Sequence, residues 1–121
     1  MTFEGELERC RPWIEAAMEY SGGTHEFEDV VHALIEGRMQ FWPAPEGCAI
    51  TEILCYPRKK VLHVFLAGGK MDQLMDMIEG VAAWGRGQGC SSMTMAGRLG
   101  WERVFGKMGW KRSMVVMERG I

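Results

Sequence analysis

The chain has 121 residues, 47% of them hydrophobic and 25% charged, with a formal net charge of −2. That length suits one domain with one core, and a balance so near neutral gives no case for gross nucleic-acid affinity. No apolar run approaches the roughly 20 residues of a membrane helix, and the polar, acidic start MTFEGELER is not a signal peptide, so the expected setting is cytoplasmic.

Residues 4–20 read as a helix, with Leu7, Cys10, Ile14, Ala17 and Met18 near one face. Pro12 lacks an N–H and predicts a kink or a fresh start. Ser21, Gly22 and Gly23 end this helix, and Thr24 reads as the N-cap of the next. Phe27, Val30, Val31, Leu34 and Ile35 form its apolar stripe, and Gly37 stops it. Residues 1–38 are therefore the helical part of a single domain spanning 1–121. Residues 39–121 supply a sheet and two more helices.

Residues 39–42 predict a short strand that Pro43 and Pro45 confine to an edge. Residues 48–56 and 61–67 are two apolar runs joined by a turn at Pro57-Arg58-Lys59-Lys60, an antiparallel hairpin. Gly68 and Gly69 end the second strand. Residues 70–88 then carry Met71, Leu74, Met75, Ile78, Val81 and Ala82 at helical spacing. A strand over residues 91–96 should lie parallel to the 61–67 strand, because a helix crosses between them. Trp101, Val104, Phe105 and Met108 mark a last helix face, and residues 111–118 a last strand.

The order helix, helix, three strands, glycine turn, helix, strand, helix, strand resembles the GNAT acyl-CoA N-acyltransferase fold. So does the run Phe105-Gly106-Lys107-Met108-Gly109-Trp110, which matches the YEKLGF-like pattern before that family's last hairpin. The resemblance spans about residues 48–118. It implies a mixed α/β sheet, mostly antiparallel with one parallel pair, and helices on both faces. Gly97-Arg98-Leu99-Gly100-Trp101 also resembles small GNAT-like proteins of tailed phages and prophages. Two departures bear on activity. Active members wrap the CoA pyrophosphate with a Q/R-x-x-G-x-G/A loop, whereas only Ala67-Gly68-Gly69 stands here before the helix. The tyrosine that often serves as general acid falls at Phe105, which has no proton to give.

Glu52 and His63 are the candidate catalytic pair. With the turn at residues 57–60, Tyr56 faces Val61 and Leu54 faces His63, so Glu52 is His63's diagonal neighbour. The pair reads either as a proton relay or as structure. Ala67, Gly68, Gly69 and Lys70 form the candidate anion-binding turn, since backbone N–H groups gather at a helix N-terminus; a plain tight turn is the other reading. Cys10, Cys48, Cys55 and Cys90 form no CxxC pair, and His25 and His32 lack a third ligand, so no metal is expected. Five tryptophans and eleven methionines supply apolar contact. Trp42 and Trp84 are the ones expected at the surface, facing a protein partner or a second copy. The expected function is a GNAT-like domain with a degenerate acyl-CoA site and no cofactor, an interaction or structural component of a phage particle or prophage. The alternative is an acyl-CoA-dependent N-acetyltransferase that uses acetyl-CoA.

Overall fold

A computed structural model describes residues 2–97 and 99–121. Arg98, one of the residues behind the phage resemblance, lies outside them. Helices α1 (Phe3–Met18) and α2 (Phe27–Ile35) come first, followed by strands β1 (Met39–Ala44), β2 (Gly47–Cys55) and β3 (Lys60–Gly69). Helix α3 (Met71–Gly87), strand β4 (Cys90–Met95), helix α4 (Leu99–Phe105) and a 3-10 turn (Gly106–Met108) complete the described elements.

The strands form one sheet in the order β1-β2-β3-β4, antiparallel except for the β3–β4 pair. Both central strands are largely buried because helices cover both faces. On one face, Leu7, Cys10 and Ile14 of α1 and Val30 of α2 pack on Ile50 and Leu66. On the other, Leu74 and Val81 of α3 meet Val64 and Leu62. Leu62 is fully buried, a contribution of about 1.5–3 kcal/mol. Gly85 lets α3 approach that closely, since a Cβ there would sit 2.8 Å from Leu62 Cδ2.

Several expectations need correction. Helix α1 runs unbroken through Pro12, which is exposed. Thr24 is not the α2 cap: its hydroxyl lies against Ser21 and His25, and the N-cap is Glu26, whose N–H donates to the Asp29 carboxylate at 2.8 Å. Ile35 is exposed, and Ala33 takes its place in the core. Trp42 and Trp84 are half-buried. They meet edge to face at 5.7 Å between β1 and α3, where Trp42 Nε1 donates to Thr51. Residues 111–118 form no strand; the chain after Gly109 is irregular and largely exposed. This segment has no strand neighbour to pair with among the described residues.

Candidate functional site

The hairpin turn is tighter than its sequence suggests. Tyr56 N–H donates to Lys59 C=O at 2.9 Å, and Cys55 pairs with Lys60. The register therefore sits two residues from the expected one, and a two-residue shift keeps every side chain on its face. Glu52 becomes the direct partner of His63 instead of its diagonal neighbour, at a Cβ separation of roughly 5 Å. Across the parallel pair, His63 stands opposite Thr94, and His63 Nδ1 lies 2.9 Å from Thr94 Oγ1. Three adjacent strands thus present a row, Glu52–His63–Thr94, on the sheet face that carries Ile50 and the first two helices.

Burial pushes the His63 imidazole below its ordinary value of 6.5, and the Glu52 carboxylate opposes that shift. The neutral ring prevails near neutral pH. In the tautomer whose Nδ1–H donates to Thr94, Nε2 is the proton acceptor, and the charge of the cross-strand Glu52 carboxylate favours the protonated ring. A depressed histidine makes folding depend on pH. Its contribution is complete above about pH 6.5 and is lost as the pH falls toward the lower folded-state value, because the unfolded chain binds the proton more readily. Melting temperatures measured from about pH 7.5 to about pH 5.5 should therefore fall less steeply for His63→Gln than for the wild type. Parallel curves would remove His63 as the source.

One residue beyond His63 the sheet opens. Ile50 pairs with Leu66 and Thr51 with Val64, so Phe65 is the extra residue of a bulge. Pairing with β4 ends at Val64–Met95, while β3 runs on to Gly69. Among the described residues, the stretch from Leu66 to Gly69 pairs only with β2. A crevice forms there, bounded by Tyr20 and Ser21 at the end of α1, by Phe65 and Leu66, and by Gly97 and Trp101. Its volume is about 30 Å³, room for one or two waters. The Trp101 ring packs directly on Gly97. Tyr20, Ser21 and Thr94 carry no mark in the sequence that singles them out. Thr94 follows from the parallel register, but nothing local signals that the end of α1 reaches this bulge.

Ala67, Gly68, Gly69 and Lys70 come together at the end of β3 and the start of α3, as their order requires. Their surroundings are protein. A Cβ on Gly68 would lie 2.8 Å from the Trp13 carbonyl oxygen. Gly69 adopts φ +100° and abuts the Glu46 carbonyl and Gly47. Lys70 N–H donates to Glu46 C=O at 2.9 Å. The Glu46 carboxylate pairs with Lys70 Nζ at 2.9 Å and accepts from Gln73 Nε2 at 3.1 Å. The Lys70 ammonium, with a smaller contribution from Gln73, holds the Glu46 carboxyl below its ordinary value. Asp72 lies in the same first turn. Two carboxylates therefore occupy the positive end of this helix.

The mixed sheet with its single parallel pair is the GNAT acetyltransferase fold. A Trypanosoma brucei acetyltransferase superposes with TM-score 0.62 at 13% identity, over 89% of this chain and 92% of that one. Glucosamine-6-phosphate N-acetyltransferase from Arabidopsis thaliana gives TM-score 0.61 at 11% identity, over 94% and 91%. A Pyrococcus furiosus protein described as a putative acetyl transferase gives 0.65 at 13% identity, over 98% and 93%. No protein-family model and no curated protein matches the sequence. Among the described residues, no helix is long and apolar enough to cross a membrane.

Proposed function

We propose that this chain is a GNAT-fold protein with a degenerate acyl-CoA site, working through a protein partner as an interaction or structural component. One observation carries the reading: the strand-to-helix turn is filled by the protein itself. A pyrophosphate cradle needs open backbone N–H groups and positive charge. Here Gly68 and Gly69 face the backbones of Trp13 and of Glu46-Gly47, the Lys70 ammonium is already paired with Glu46, and Asp72 adds negative charge to the helix start. Ala67, Gly68, Gly69 and Lys70 therefore do not fit a pyrophosphate. The narrow crevice beside Trp101 and the phenylalanine at position 105 point the same way. The phage or prophage setting rests on residues 97–101 alone, and flanking genes for virion proteins are its expected companion.

The second reading is an acyl-CoA-dependent N-acetyltransferase. The row Glu52–His63–Thr94 favours it, because a half-buried neutral histidine beside a carboxylate suits a general base. Titration calorimetry with acetyl-CoA separates the two. The non-catalytic reading expects no binding tighter than about 100 μM, or about 5.5 kcal/mol. Tighter binding, displaced by free CoA, would establish the enzyme reading instead.

A further inference from the structure

We propose that residues 113–118 act as a sheet strand for a second copy of this chain, adding to the outer edge of its β4 while β4 of the first copy receives the partner's segment. The proposal stands whether or not the crevice binds acyl-CoA. Met114, Val115, Val116 and Met117 are 75%, 69%, 84% and 90% exposed, a contiguous apolar run open to solvent. Two β-branched residues between two methionines favour an extended strand covered on both faces. Its base is fastened. Trp110 N–H donates to Phe105 C=O at 3.2 Å, the two rings meet at 5.9 Å, and Arg112 pairs with Glu102 at 2.7 Å. Beyond that base the segment leaves its own β4 unpaired.

The sheet offers a matching vacancy. Its two edges are β1 and β4. Pro43 lacks a donor and blunts β1. Strand β4, CSSMTM, has neither proline nor charge along its six residues, so its outer edge lacks the features that discourage pairing. Residues 113–118 match it in length. Reciprocal exchange, each copy completing the other, makes the pair isologous and closes it at two copies. The four exposed side chains present on the order of 500 Å² per chain, so two reciprocal tails reach the roughly 1,000 Å² a specific interface needs.

Sedimentation velocity and amide hydrogen exchange on the full chain test this. The wild type should sediment at twice the chain mass of 13.7 kDa, with amides of residues 113–118 and of β4 exchanging at least tenfold slower than in a monomer. A Val115→Pro, Met117→Lys double variant should sediment as the monomer, lose that protection and keep its circular dichroism, because both side chains are exposed. A wild type still monomeric at about 100 μM, a concentration that populates any specific dimer of that affinity or better, overturns the proposal. So does a dimer that the double variant leaves intact, which places the interface elsewhere. A monomer with protected tail amides overturns it too, since the tail then pairs with its own β4.

Discussion

Gly69→Ala should lower the unfolding free energy by at least about 2 kcal/mol, measured as a reduced urea midpoint with unchanged slope. Two costs combine. The backbone at φ +100° is a conformation that L-residues adopt at a cost of roughly 1–2 kcal/mol. The new methyl would also overlap the Glu46 carbonyl and the Gly47 Cα, and backbone atoms cannot turn aside as a side chain would. Gly80 is the control. It lies in α3, is exposed and would place a new methyl in open space, with nothing within 4 Å. Gly80→Ala should therefore stabilise by up to about 1 kcal/mol. The contrast bears on function. A costly Gly69 is accounted for by the turn's own packing, with no phosphate required. If Gly69→Ala melted like the wild type, the turn would be more open than its contacts imply, and an anion site there would regain its case.

The elements with strong periodicity were legible in the sequence. The 61–67 run reads as a doubly covered strand because both of its faces are apolar, and β3 is that strand. The parallel β3–β4 pair follows from one crossover helix and the handedness of such connections. What escaped depended on contacts distant in sequence. The hairpin register turned on whether Lys60 belongs to the turn or to the strand, and Lys60 pairs with Cys55. That changed the distance from Glu52 to His63 without changing their face. Trp42 looked exposed because it stands beside Pro43, and Trp84 because it sits off the main helix stripe, yet they cover each other across two elements. The bulge at Phe65 has no local mark, so neither the opening beside it nor the arrival of Tyr20 there could be read from residue order. Residues 111–118 have the composition of a strand, but a strand also needs a neighbour.

Phe105→Ala should cost about 3–5 kcal/mol, the usual penalty for emptying a buried aromatic site. The ring is 4% exposed and lies between Trp101 and Trp110, each 5.9 Å away and edge to face. It therefore joins α4 to the 3-10 turn and to the base of the tail. Phe105→Tyr is the finer probe, because the resemblance places a general acid at this position. The adjoining cavity of about 20 Å³ is apolar apart from Thr51. The Thr51 hydroxyl already donates to Gln40 at 2.8 Å and accepts from Trp42 at 2.9 Å. A phenolic hydroxyl entering this wall meets little that can pair with it, and an unpaired buried group costs about 1–3 kcal/mol. The expected result is a lower urea midpoint and no acetyl transfer from acetyl-CoA to amines. A midpoint equal to the wild type's, together with measurable turnover, would mean that the hydroxyl reaches an open cleft. The chain would then be an enzyme that lacks only its acid.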